Sequence, residues 1–317
     1  MKTYYKKNLS DTEKKQIFSL LVKNFKIKKK NIDNYRKIIF KDNTRKFILY
    51  KINDKIVGVL CTNSRKMNFY GISLKILGMS YMAIEKDYQK YSISTSLRNK
   101  LFEISKKNDL IVGFARRAMD NYWYRYGFLG FDSYNKIILD PSDINIFSDK
   151  KYQISKIDIK KFSKMNLILK KQSNNSYGLF LRNKKLLSYY NLLMKYKKLN
   201  LYITKFNKSI LGYFITDNKN IYELYSNSID DITFLFSVKK FFLNRNSEKI
   251  NIHINSKNLL MNNIFNFNHT HISRKSWKGG HIAKLLSIKD FLNKSKKLIK
   301  SILNKFKLKN FSIITHE

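Results

Sequence analysis

The chain has 317 residues, 43% of them hydrophobic and 15% aromatic, enough for real cores and a length that favours about two domains. One cysteine, Cys61, excludes an intramolecular disulfide and any cysteine zinc cluster. The 64 Lys and Arg against 22 Asp and Glu give a net charge of +42, which suits polyanions, anionic membrane surfaces or acidic substrates. The same excess follows from an AT-biased codon supply, since Lys, Asn and Ile crowd the chain, there is a single Pro, and the basic residues are spread throughout. The N-terminus has no apolar stretch of signal-peptide length, and no apolar run is long enough to span a bilayer, so the reading is a cytoplasmic protein.

In chain order, Thr3–Lys7 suits a first strand, and Ser10-Asp11-Thr12-Glu13 has capping-box spacing before a helix with Ile17, Leu20, Leu21 and Phe25 on one face. Lys26–Lys30 is a solvated basic helix end. Phe47–Tyr50 and Lys55–Leu60 make a hairpin around Asn53-Asp54, with Cys61 as a small core residue. Leu74–Ile84 is a strand that ends in the apolar run Ser80–Ile84, and Glu85-Lys86-Asp87 breaks it. From Ser92, the residues Ile93, Leu97, Leu101, Phe102 and Ile104 recur at helical spacing until the basic end near Lys106-Lys107. A tight turn from strand to helix leaves helix-start N–H groups without partners, a ready anion site. Leu110–Ala115 is the next buried strand, and the aromatic run Tyr122-Trp123-Tyr124-Arg125-Tyr126-Gly127-Phe128 follows it.

The run Asp87-Tyr88-Gln89-Lys90-Tyr91-Ser92-Ile93-Ser94 resembles motif A of the GCN5-related N-acetyltransferase (GNAT) superfamily. Gln89 stands at the motif's first position, and Ser92 and Ser94 stand where the family prefers glycine. The order of hairpin, strand, loop, helix and strand is also the family's order. The resemblance implies an α+β GNAT fold with a mixed central sheet whose strands, ending at Ile84 and running Leu110–Ala115, start paired and then splay. Gly78 or a bulge near Ala83 can produce the splay. It implies acetyl-CoA as co-substrate, with its pyrophosphate on the amides of Gln89, Lys90, Tyr91, Ser92, Ile93 and Ser94, and its pantetheine arm against Met82 and Ile84. Many members carry a Tyr four residues before the Gly of a Gly-Phe pair, as acid for the departing thiolate. Counted from Gly130 this is Tyr126; counted from Gly127 it is Trp123, flanked by Tyr122 and Tyr124. Tyr126 is the first candidate and Tyr124 the second; the alternative for each is core packing. Glu85 and Asp120 are the carboxylates nearest to these motifs, and each reads as an ordinary loop or cap residue before it reads as a general base.

The linker-like stretch Ile137–Asp149, which holds the only proline, marks a domain boundary after residues 1–140. Residues 151–292 read as a degenerate GNAT-like domain. Leu201–Thr204 and Ile210–Ile215 form a hairpin around Asn207-Lys208, Ile221–Leu224 a strand, Ile229–Leu243 a helix and Ile250–Ile254 a strand, with Gly279–Ile288 as its closing strand. No phosphate loop is found there. Two such domains resemble tandem members related to the enhanced-intracellular-survival type, without the sterol-carrier-like domain. His269 and His271 alternate as strand neighbours on one face, but no cysteine or clear acidic ligand joins them, and no metal is expected. Residues 293–317 form a basic C-terminal helix and tail, either docked by its Leu and Ile face or laid on anionic lipid.

The function implied is transfer of an acetyl group from acetyl-CoA to an amine of a small molecule, amino sugar or peptide, one bearing phosphate or carboxylate being favoured by the basic surface. The alternatives are an aminoacyl-tRNA-dependent transferase of tandem GNAT type, and a non-catalytic protein binding nucleic acid or anionic membrane.

Overall fold

The computed structural model describes residues 2–69, 71–116, 120–131, 135–142, 144, 146–159, 165, 168, 177–181, 187–227, 229–254, 260, 271–273 and 279–305. The described strands are β1 (Lys2–Lys6), β2 (Arg45–Ile52), β3 (Lys55–Phe69), β4 (Ile72–Ile84), β5 (Leu110–Arg116), β6 (Leu129–Phe131), β7 (Asn135–Leu139), β8 (Gln153–Lys156), β9 (Tyr177–Leu181), β10 (Asn200–Phe206), β11 (Ser209–Thr216), β12 (Asn220–Ser226), β13 (Ile250–Ile254), β14 (His271–Ser273) and β15 (Gly279–Leu285). The described helices are α1 (Asp11–Phe25), α2 (Ile32–Lys41), α3 (Ile93–Ser105), α4 (Asp120–Tyr124), α5 (Leu187–Tyr196), α6 (Asp231–Leu243) and α7 (Ile288–Lys305).

They build two mixed sheets. The first runs β1-β2-β3-β4-β5-β15-β6, with β9 also paired to β3; the second runs β14-β7-β13-β12-β11-β10-β8. Both hairpins foreseen at Asn53-Asp54 and Asn207-Lys208 are present. Each central pair has positive φ (45° and 61°; 45° and 66°), the geometry a two-residue turn needs to match strand twist. In each sheet one parallel pairing sits at the centre, β4 with β5 and β12 with β13.

The first sheet is covered on both faces. Ile17, Leu21 and Ile39 of α1 and α2 pack with Phe47, Val59 and Cys61 on one side. Ile93, Leu97 and Leu101 of α3 pack with Val57, Leu77 and Ile111 on the other. Cys61 is fully buried, and burial pushes its thiol up to about 12, which leaves it inert as a nucleophile. On the second sheet, α6 contributes Phe234, Phe241 and Phe242 to a core with Phe214 and Ile252.

The two sheets exchange strands, and here the sequence reading is corrected. Gly279–Leu285, expected to close the second domain, lies in the first sheet: Gly279 registers with Arg116 and Leu285 with Leu110 along β5, and His281 to Ala283 with Phe131 to Leu129 of β6. Conversely, Asn135–Leu139, at the start of the expected linker, is a strand of the second sheet, paired with β13. The first reads as a strand in the sequence and the second does not, and partner choice, which is non-local, leaves no trace in a short window. The C-terminal helix begins at Ile288, earlier than expected, and docks by Phe291 against Phe69 and by Lys294 to Asp109 at 2.6 Å. Residues 306–317, together with His269, lie outside the described residues.

Glu13 ties this half together. The capping box is formed, Ser10 Oγ accepting from the Glu13 amide at 3.1 Å and Glu13 accepting from the Ser10 amide at 3.0 Å. The same carboxylate accepts from Lys6 of β1 at 2.8 Å and Lys51 of β2 at 2.9 Å. Burial opposes its ionisation, yet the Lys6, Lys51 and Ser10 hydrogen bonds outweigh it and hold the pKa down at about 2. A folded pKa below the unfolded value means stabilisation that is complete above about pH 4.5 and lost as pH falls toward 2. Glu13→Gln is therefore expected to cost about 3 kcal/mol at pH 7, with the difference from the native chain shrinking below pH 4 in urea unfolding.

Candidate active site

The site begins at an irregularity in β4. Its pairing with β3 passes from Cys61–Ser80 to Val59–Ala83, so Tyr81 and Met82 together oppose Leu60. That is a bulge, and Tyr81 carries it with φ +52°. It lies within two residues of Ala83, where the sequence placed one. The parallel ladder with β5 joins Ile76 to Leu110, Leu77 to Ile111 and Gly78 to Val112, and goes no further among the described residues. From Met79 and Gly113 onward the two strands run without mutual pairing, while the other edge of β5 is taken up by β15 to its end. Met79 fills the closed end: a Cβ built on Gly113 would lie 2.6 Å from Met79 Cε, so only glycine lets the side chain cross there.

The loop from Glu85 to Ser92 follows β4 and is tied to β3 of the hairpin. The Glu85 amide donates to Val57 at 2.8 Å, and its carboxylate meets Lys55 of the hairpin at 2.9 Å. Lys55 also sits 5.6 Å over the Tyr88 ring. Glu85 is thus a loop anchor, one of its two sequence readings; the side chain of Asp120 lies outside the described residues. Gln89, Lys90, Tyr91 and Ser92 are exposed, and Gln89 Nε2 donates to the Ile84 carbonyl at 3.5 Å.

Ser92 stands at the N-cap of α3 in the left-handed region, φ 50° and ψ 22°, with no side-chain cap. Its carbonyl accepts from Thr95 and Ser96. Among the described residues no acceptor meets the amides of Ser92, Ile93 and Ser94. Ile93 turns its side chain wholly into the core, against Gly58, and offers only its backbone to the loop. Helix α6 in the second sheet differs: Asp230 accepts from the Thr233 amide at 2.9 Å and from its hydroxyl at 2.9 Å, so a built-in carboxylate fills that mouth. Of these two helix starts, that of α3 is the one left open to an outside anion. Ser92→Gly is expected to stabilise the fold by about 1 kcal/mol, measured by thermal unfolding, because glycine takes positive φ without strain.

The structure brings Met82, Ile84 and the Gln89–Ser94 loop to one end of the sheet, with Met82 and Ile84 packed on the α3 side. In the aromatic run, Gly127 is the turn glycine, at φ +75°, and Gly130 lies in β6 opposite Ile282. Trp123 is buried against Phe128, with ring centroids 5.0 Å apart. Tyr124 is exposed. Tyr126 lies under Arg98 of α3, its ring centre 3.5 Å from the guanidinium carbon. Sequence reading missed Arg98: it falls beside Leu97 on an amphipathic helix and reads as a surface cation, yet it is only 5% exposed. Among the described residues, no three His, Cys, Asp or Glu side chains cluster as a metal centre requires.

Residues 6–129 match the family profile described as an acetyltransferase (GNAT) domain. No curated protein matches in sequence. Among solved structures, a GCN5-related N-acetyltransferase from Anabaena variabilis superposes with a TM-score of 0.72 at 14% identity, over 90% of this chain and 74% of its own. Eis1 from Mycobacterium abscessus gives 0.65 at 8% identity, over 92% and 76%. A tandem GNAT protein from the clavulanic acid biosynthesis pathway gives 0.51 at 8%, over 90% and 99%. Residues 6–129 are thus similar to a GNAT acetyltransferase domain, and the chain as a whole is similar in fold to tandem and Eis-type GNAT proteins.

Proposed function

We propose that the chain is an acetyl-CoA-dependent N-acetyltransferase, acting on an amine of a small molecule, amino sugar or peptide. The observation that carries the reading is the conjunction of two openings: the uncapped amides at Ser92–Ser94 and, beside them, the stretch where β4 and β5 part. The amides and helix dipole take the diphosphate, with Gln89, Lys90 and Tyr91 around it. The pantetheine arm lies between the strands along Met82 and Ile84, and an oxyanion meets a main-chain N–H near Ile84. The amine attacks the thioester directly, since the one cysteine is buried with its thiol held protonated. The phenols of the Tyr122–Tyr126 run are the proton source for the leaving thiolate. The second sheet, with its α6 mouth filled by Asp230, serves as a wall and strand donor. A cytoplasmic setting accords with the lone buried thiol.

The charge of +42 favours one second reading, an aminoacyl-tRNA-dependent transferase. Calorimetry at moderate salt separates the two. Saturable binding of acetyl-CoA, shared by desulfo-acetyl-CoA, is expected; salt-sensitive binding of tRNA with none of acetyl-CoA would replace the first reading by the second.

A further inference from the structure

The closed end of the gap between β4 and β5 is sealed on both faces by a side chain laid over a glycine. On the α3 side, Met79 crosses from β4 to β5: a Cβ built on Gly113 would lie 2.6 Å from its Cε and 2.7 Å from its Cγ. Met79 is 6% exposed and packs in the core of Leu77, Leu97 and Ile111. On the opposite face, Asn63 of β3 registers with Gly78, and a Cβ built there would overlap Asn63 Oδ1. Gly78 and Val112 are the last pair of the β4–β5 ladder among the described residues, so both plugs stand where the strands part. β15 occupies the far edge of β5 from Leu110 to Arg116, so a group in the gap cannot pass beyond that strand.

We infer that Met79, laid over Gly113, sets the length of acyl chain that the site accepts, and that the donor is a two-carbon acyl thioester rather than a longer one; this rests on the acetyl-CoA reading above. With the diphosphate at Ser92–Ser94 and the arm along Ile84 and Met82, the thioester points toward Met79. From Ile84 back to Met79 the strand covers about 16 Å at its ordinary rise per residue. That is the reach of an extended pantetheine arm, two amides in series. The acyl chain therefore ends on the methionine. Each further methylene must enter space already filled by Met79 Cγ, Sδ and Cε, or turn against the Asn63 amide, where hydrocarbon would cover a polar group. An unbranched methionine can lie flat across the neighbouring strand, and any side chain at position 113 would lift it.

The test is calorimetry on the full chain with acetyl-, propionyl- and butyryl-CoA, which needs no acceptor amine. In the native chain affinity should fall about tenfold or more for each added methylene. Met79→Ala vacates the Cγ, Sδ and Cε positions, room for the extra carbons of butyryl, and should raise the butyryl-to-acetyl affinity ratio about 100-fold. Gly113→Ala should act the other way, driving the methionine into the gap and weakening acetyl-CoA about tenfold. Adding Met79→Ala to that chain should recover most of the loss, since the new methyl then meets only the position-79 carbonyl oxygen, 3.4 Å away. A damaged fold would weaken every donor alike, so the ratio is the readout. If Met79→Ala does not fold, Met79→Val should move the ratio less but in the same direction. Equal affinity of the native chain for acetyl- and butyryl-CoA, or an unchanged ratio in the Met79 variants, would overturn the assignment alone. A native chain that binds none of the three would remove the reading beneath it as well.

Discussion

Ser94→Glu should stabilise the folded chain and, in the same protein, remove acetyl-CoA binding. Ser94 is the second residue of α3, within the turn whose amides lack a cap. A carboxylate there complements the helix dipole and is worth about 0.3–1 kcal/mol of stability. It also places negative charge where the diphosphate would sit, and at a few ångströms that repulsion should cost affinity by about 100-fold or more. In the second sheet a carboxylate already fills a helix mouth, Asp230 at the N-cap of α6, two positions earlier than Ser94 stands in α3. Opposite signs matter, because a variant that merely damaged the fold would lose both. Thermal unfolding and acetyl-CoA calorimetry on one preparation check it; lowered stability, or affinity unchanged, would show that the α3 mouth is not an anion site.

The second large effect concerns the exchanged strands. A chain ended at residue 278 loses β15 and α7, and β5 is left with a bare edge from Leu110 to Arg116. Ile282, buried in the α3-side core, goes with it, as does the Lys294 partner of Asp109. Edge exposure beside a gap already unpaired on the other side leaves β5 with the short ladder to β4 alone. Such a chain should lose its cooperative unfolding transition and aggregate, and a fragment of residues 1–140 should fare no better. A fragment of residues 1–140 that unfolds cooperatively and binds acetyl-CoA as tightly as the full chain would contradict the claim that both halves are needed to build one site.

What the sequence disclosed was local. Asn53-Asp54 and Asn207-Lys208 announced their turns because few residues accept positive φ in succession, and Ser10 with Glu13 announced the α1 cap because both partners lie within one turn. The loop before α3 was visible for the same reason. What stayed hidden depends on distant partners. Thr62–Phe69 looks too polar for a strand, yet it extends β3 because β4 and β9 flank it. Helix α2 and helix α5 were not foreseen, the second being packed on the first from far along the chain. The exchange of β7 and β15 cannot be read from alternation, which gives a strand its faces but not its neighbours. In the site, the loop was legible and Arg98 was not, since its burial is a consequence of α4 folding back over α3.

Backbone hydrogen exchange of the full chain with and without acetyl-CoA puts the matter to the molecule most directly. The ligand should slow exchange at the amides of Ser92, Ile93 and Ser94 and along Met82–Ile84, with α6 unaffected. Protection confined to other elements, or none at saturating ligand, would mean that the opening between β4 and β5 and the mouth of α3 hold no coenzyme.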